Sequence, residues 1–165
     1  MLAQTSHWAG DVRAAIAHAN RAIELNGNFA VAHFYLGIGL SLDGRHEEAL
    51  DAIEMGWRLS PRDPRASTWL ANKARVLYHL RRYEEAIETA LSARRIQPHA
   101  YGFLVLLASY AQLGRDEEVK SAVADIHALP VESEKTTRWY LDRYSDPVAR
   151  EHMADGLRKA GLLEQ

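Results

Sequence analysis

Eight histidines and 22 acidic side chains are the groups in this chain that could bind a metal ion or transfer protons. A zinc site needs such ligands at short, regular spacings, as in His-Glu-x-x-His, and the chain contains no such motif. The run His46-Glu47-Glu48 is better explained as the start of a helix, where acidic side chains complement the helix dipole. The histidines are scattered over positions 7, 18, 33, 46, 79, 99, 127 and 152. Their spacing predicts no metal site.

Nucleophiles and phosphate-binding loops are also missing from the sequence. The chain has no cysteine, and no serine lies in a Gly-x-Ser-x-Gly turn. It has neither a Gly-x-Gly-x-x-Gly motif nor a Gly-Lys-Ser/Thr loop, so no pattern indicates nucleotide binding. We therefore expect that this chain is not an enzyme and that it needs no cofactor.

Composition and charge narrow the classes of partner. A chain of 165 residues with 47% apolar residues fits one domain or a short repeat array. Its formal charge of -2 gives no electrostatic reason to expect nucleic acid. The longest apolar run, from Phe103 to Ala108, is far shorter than a membrane span, and the first residues lack the features of a secretory signal. We expect a cytoplasmic protein that does not insert into membranes and does not bind nucleic acid.

Internal repetition is the strongest feature of the sequence. The pattern Gly-x-x-x-x-Ala begins at Gly10 and again at Gly44, and Arg81 and Gly114 begin the same frame further on, with Val119 in the place of its last alanine. The spacings are 34, 37 and 33 residues, and three extra residues at 64–66 account for the longer one. A period near 34 residues with two helices per unit is typical of a helical solenoid.

The unit from Ala30 to Asp63 shows how each repeat folds. Gly37 lies on one face of its first helix and lets the partner helix approach closely. Gly44 ends that helix in a left-handed turn, and Pro61 ends the second helix. The second helix carries small and branched residues, Ala49 and Ile53, on one face. The pattern predicts an antiparallel helical hairpin that cannot bury its apolar face alone.

These residues resemble the tetratricopeptide repeat, which implies an all-α fold, an α-α superhelix with a concave groove. The matching residues are Leu36, Gly37, Ala49, Ile53 and Pro61 in one unit, Leu70, Ala74, Leu77, Tyr83, Ala86, Ala93 and Pro98 in the next, and Phe103, Leu106, Tyr110 and Gly114 in the last. Lys73 departs from the pattern at a core position. We expect a repeat array over residues 1–130, with a partial unit at 1–29 and three full units at 30–66, 67–99 and 100–130.

The two ends of the chain differ from the repeats. Met1 to Ala9 would be the remnant of a first helix, so we expect either a piece of a longer protein or a naturally short chain for which this remnant suffices. Residues 131–165 are expected to form capping helices over the fourth unit, after a polar linker at 131–137. Asp146 followed by Pro147 predicts the start of the last helix, with Met153 and Leu157 on its buried side.

A second resemblance rests on this tail. A tyrosine, then Asp-Pro, then a helix that closes with Gly-Leu-Arg-Lys-Ala-Gly-Leu at 156–162 is similar to the C-terminus of bacterial adenylate/guanylate cyclase-like proteins. The resemblance implies a regulatory or scaffolding repeat region in a protein that makes a cyclic nucleotide. It assigns no catalytic residue to this chain.

The repeat resemblance also implies which side chains face the concave groove. The second and fourth units place mainly apolar residues there, whereas the third unit supplies a polar and basic centre. The predicted groove residues are Val31, Phe34, Tyr35, Ile38, Leu42, Thr68, Asn72, Arg75, His79, Tyr101, Leu104, Val105, Ala108 and Gln112.

Two explanations of this apolar groove compete. Either it binds a foreign peptide that carries an acidic group, or it is covered by the tail, by a further domain, or by a second copy in a homodimer. The alternative function is accordingly a free-standing repeat protein that self-associates or acts as an adaptor. We expect Leu104→Arg to abolish partner binding without unfolding, because this position faces the groove and not the core. Leu106→Ala should instead truncate the core and cost about 2–5 kcal/mol.

Overall fold

The computed structural model describes residues 11–98, 100–127 and 133–164, and within these ranges every regular element is an α-helix. The predicted first-helix remnant at 1–9 lies outside the described residues. None of the helices in the described ranges is long and apolar enough to cross a membrane. The helices are α1 (Val12–Leu25), α2 (Ala30–Leu42), α3 (His46–Leu59), α4 (Ala66–His79), α5 (Tyr83–Ile96), α6 (Ala100–Gln112), α7 (Asp116–His127), α8 (Ser133–Leu141) and α9 (Pro147–Lys159).

Successive helices pack as hairpins, which confirms the predicted all-helical superhelix. The largest interfaces join α2 to α3 and α4 to α5, and α4 also contacts both α2 and α6. Small side chains make this packing close: Ala49 and Ala86 are fully buried. A Cβ atom on Gly37 would lie 2.5 Å from Cγ1 of Ile53, so only glycine fits this helix crossing. The stacking places α2, α4 and α6 side by side.

The turns inside the hairpins use left-handed backbone. Gly44 has a φ of 81° and Gly114 a φ of 66°, as the repeat frame predicts. Arg81 occupies the same place in the turn between α4 and α5. Its φ of 59° is a left-handed conformation that residues with a side chain disfavour. The repeat geometry therefore holds even where glycine is replaced.

Two side chains of the repeat faces lie in places that the sequence pattern did not predict. Lys73 is only partly buried, and its ammonium group pairs with the Glu54 carboxylate at 2.9 Å across the α3–α4 interface. Leu25 is an apolar residue that ends α1, and it is 72% exposed. Leu106, in contrast, is 1% exposed, as expected for a core residue.

The C-terminal tail packs on the array through α9. The Asp146 carboxylate accepts a hydrogen bond of 2.6 Å from the backbone N–H of Ala149, and Pro147 follows at the first helical position, as predicted. Met153 and Leu157 are fully buried. The segment predicted as a polar linker differs, because α8 already begins at Ser133, and residues 131 and 132 lie outside the described ranges.

Candidate functional site

The tail helices lie against the concave side of the array. Helix α9 packs mainly on α6 and also contacts α4 and α8, and α8 contacts α6. Between them the chain reaches the end of α2, where the backbone N–H groups of Ser145 and Asp146 donate to the Leu42 carbonyl at 3.0 and 3.1 Å. The tail therefore crosses the groove instead of only closing the last repeat.

Polar contacts secure this tail over the C-terminal ends of α4 and α6. The Tyr78 hydroxyl donates to the His152 carbonyl at 2.7 Å. The Gln112 side-chain amide donates to the Asp155 carboxylate at 2.9 Å, which fixes α9 beside α6. Gly156 makes the approach possible, since a Cβ atom there would lie 2.4 Å from the Tyr78 hydroxyl oxygen. This part of the groove is filled by the chain itself.

The predicted groove residues, with the exception of Val31, divide into two sets. Those that line an open cavity are Phe34, Tyr35, Ile38, Thr68, Asn72, Arg75 and Tyr101. Those buried or hydrogen-bonded away from it are Leu42, His79, Leu104, Val105, Ala108 and Gln112. Val31 is half-buried and does not line the cavity.

Leu104 requires a correction of the expected mutant behaviour. It is 0% exposed, although its position in the repeat was expected to face an open groove. Its helix, α6, packs against both tail helices. An arginine at this position would bury a charge, so Leu104→Arg is not a variant that leaves the fold intact.

The open cavity lies at the other end of the groove and has a free volume of about 110 Å³. Its walls come from α2, α4, the start of α6, and the tail. The rings of Phe34, Tyr35, Tyr101, Trp139 and Tyr140 supply much of its surface. The Tyr101 and Trp139 rings stack with centroids 5.5 Å apart and remain partly exposed, so they border the cavity.

Two arginines give this aromatic cavity a positive charge. Arg75 is 5% exposed; its Nε donates to the Ser41 hydroxyl at 3.3 Å, and its Nη2 has no hydrogen-bond partner among the described residues. Arg143 lies with its guanidinium 4.5 Å from the centre of the Trp139 ring. Burial, together with the nearby Arg75 charge, lowers the pKa of Arg143. None of the described residues lining the cavity is acidic.

Three residues of the tail line the cavity but were not among the predicted groove residues, namely Trp139, Tyr140 and Arg143. The sequence predicted this tail only as a cap. The available signal was the unusual density of aromatic residues at 139, 140 and 144 beside a polar segment. The sequence pattern does not state which surface such a segment covers.

Histidines assemble where the tail meets the array. The rings of His46 and His79 stack with centroids 4.6 Å apart, and His152 of α9 lies 5.4 Å from His79. Nε2 of His79 lies 2.9 Å from the Tyr144 hydroxyl oxygen. Burial lowers the pKa of all three histidines, that of His79 well below its ordinary 6.5 and that of His152 to about 4.

We expect this cluster to make folding stability fall between pH 7 and pH 5. The histidines of the unfolded chain bind protons near pH 6.5, whereas the lowered pKa values of the folded histidines mean that they bind protons only at lower pH, so protonation favours unfolding. Carboxylates titrate little in this range. Urea denaturation at several pH values measures the effect, and His152→Gln should reduce the slope. A free energy of unfolding that stays constant from pH 7 to pH 5 would contradict the expectation.

Comparison with known proteins agrees with this architecture. A family model described as "Tetratricopeptide repeat" matches residues 9–64 and 58–101, which together exceed half of the chain. The crystal structure of MamA is similar with a TM-score of 0.61 and 15% identity, over 97% of this chain and 92% of that chain. The structure of YrrB, described as "a TPR protein with an unusual peptide-binding site", has a TM-score of 0.60 and 20% identity, over 96% of this chain and 80% of that chain. No curated protein sequence gives a significant match.

Proposed function

Because the chain belongs to the tetratricopeptide repeat family, we propose that it is a protein-interaction module that binds a segment of a partner protein at its aromatic cavity. Helical repeat arrays present extended concave surfaces that suit such segments. The description of the similar YrrB structure as a peptide-binding protein supports the same class of function. We further propose that the module acts in the cytoplasm.

The observation that carries this proposal is the cavity left open beside the tail. Its volume of about 110 Å³ suits one side chain of a partner and not a whole helix. Tyr101 and Trp139, which are 37% and 39% exposed, offer stacking surfaces at its border. Partly exposed aromatic rings around a recess are typical of the anchor points of protein interfaces. The partner would therefore insert one anchor and lie over the surrounding rings.

Selection from a random peptide library tests the proposal. Thr68 is exposed and lines the cavity, so Thr68→Trp should block it and abolish binding of the selected peptides. Glu88→Trp adds the same ring at an exposed position of α5, outside the cavity, and should leave binding unchanged. Peptides that bind Thr68→Trp as well as the natural chain, or a failure to select any, would overturn the proposal.

Self-association is the alternative use of the same surface. The exposed Tyr101 and Trp139 rings could meet a second copy instead of a foreign segment. Light scattering on a sizing column over a range of concentrations separates these cases. A dimer that Thr68→Trp dissolves would favour self-association, and a monomer throughout would favour a foreign partner.

The wider context that we propose is the C-terminal region of a bacterial nucleotide cyclase-like protein, in which this module would be regulatory or scaffolding. Its support is the motif at 156–162, which lies beyond the residues matched by the repeat family. The reading frame of the gene tests it. A cyclase domain encoded upstream in the same frame would support this context, and a stop codon directly before Met1 would exclude it.

A further inference from the structure

The aromatic cavity contains a buried cation, the guanidinium of Arg75. Arg75 is 5% exposed, and the described residues that line the cavity with it include no aspartate or glutamate. A buried charge without a counter-ion destabilises the folded state. An anion that entered the cavity would remove that cost. A ligand that binds favourably is therefore negatively charged.

The hydrogen-bond donors of Arg75 also favour a negatively charged ligand. Its Nε is used by Ser41, but its buried Nη2 has no partner among the described residues. A guanidinium has five N–H donors and no acceptor, so only an acceptor can satisfy it. Carboxylates match the planar fork of arginine and form short charge-assisted hydrogen bonds with it.

Arg143 adds a second positive charge to the cavity. It belongs to the tail, whereas Arg75 belongs to α4, and each lines the same cavity. The two charges repel one another, which is one cause of the lowered pKa of Arg143. One carboxylate between them would reduce this repulsion.

The volume of the cavity and the aromatic rings at its border restrict the kind of ligand that can carry this carboxylate. A cavity of about 110 Å³ is smaller than the ~150 Å³ cavity that takes up benzene, so it holds a carboxylate with a short aliphatic chain. The rest of the ligand must then lie across the partly exposed Tyr101 and Trp139 rings. An acidic side chain next to an apolar residue meets both requirements.

We infer that the cavity binds an aspartate or glutamate side chain of the partner segment, with its carboxylate held by the Arg75 guanidinium. This inference rests on the proposed function, because it names the chemical group that anchors the partner. It makes Arg75 the residue that determines specificity, and it makes Trp139 and Arg143 part of the binding surface.

Two probes and two variants test the inference by calorimetry. Phenylacetate should bind the natural chain at least tenfold more tightly than phenylacetamide, its neutral isostere. Arg75→Met should abolish this preference, while Arg94→Met, the same change at an arginine outside the cavity, should preserve it. Should Arg75→Met not fold, Arg75→Gln takes its place, since it keeps donors without the charge.

Peptides from the library selection give the decisive comparison. Replacing their acidic residue by its amide should weaken binding at least tenfold to the natural chain and to Arg94→Met, but not to Arg75→Met. Equal binding of phenylacetate and phenylacetamide overturns the inference, as does an acid preference that survives Arg75→Met. The inference is also overturned if phenylacetate binds more tightly than phenylacetamide but the affinity of the peptides does not change when their acidic residue is replaced by its amide. Peptides that bind without any acid, and that Thr68→Trp blocks, refute the inference while the proposed function stands.

Discussion

Leu104→Arg is expected to unfold the protein or to reduce its free energy of unfolding by about 4 kcal/mol or more. Leu104 is 0% exposed and lies on α6, between the repeat core and the tail helices that pack on α6. An arginine there must either lose its hydration or push the tail away. Urea denaturation followed by circular dichroism measures the loss.

The matched control is Val148→Arg on α9. Val148 is 75% exposed, so the same side chain there remains in water and should change stability by less than about 0.5 kcal/mol. If Leu104→Arg folded with natural stability, the tail could not be seated on α6 as described. The groove would then be open at that position.

Gly156→Leu is expected to detach the tail while the repeat hairpins remain folded. A Cβ atom at this position would lie 2.4 Å from the Tyr78 hydroxyl oxygen and 2.9 Å from Cβ of Ala108, and leucine adds three further carbons. Overpacking of a close interface costs typically about 1–3 kcal/mol, and here neither neighbour can yield without moving its helix. The tail follows the repeats in the chain and packs on them mainly through α9, the helix that carries Gly156, so it is the part expected to move.

Limited proteolysis measures this release. Cleavage between residues 133 and 164 should become much faster in Gly156→Leu, and the exposed concave surface should bind an apolar dye. Val148→Leu places the same side chain at an exposed position of the same helix and should resemble the natural chain. A tail equally protected in Gly156→Leu would show that α9 does not require the close approach at Gly156.

The hairpins could be predicted from the sequence because their determinants are local. Gly44 and Gly114 mark left-handed turns, and Ala49 and Ala86 mark faces where helices cross closely. Such residues act within one repeat of about 34 positions, and the same pattern recurs, so each unit supports the prediction of the next. The capping pair Asp146-Pro147 is local in the same way.

The site could be predicted only in part because its walls come from distant segments. Phe34, Asn72 and Arg75, which the repeat frame places in the groove, line the cavity. The frame also included Leu104 and Ala108, which are fully buried. The frame describes which way a side chain points from its helix, but it carries no information about a tail that returns over that face.

The sequence by itself determined the repeat class, the helix boundaries near each turn, and the lack of any recognisable catalytic motif. The tertiary structure decided which end of the groove stays open. That choice depends on contacts between residues more than 60 positions apart, such as His79 with Tyr144 and Tyr78 with His152. The repeat pattern of the sequence predicts only contacts within one repeat and between adjacent repeats. Burial of the tail is set instead by the shape and polarity of the whole concave face.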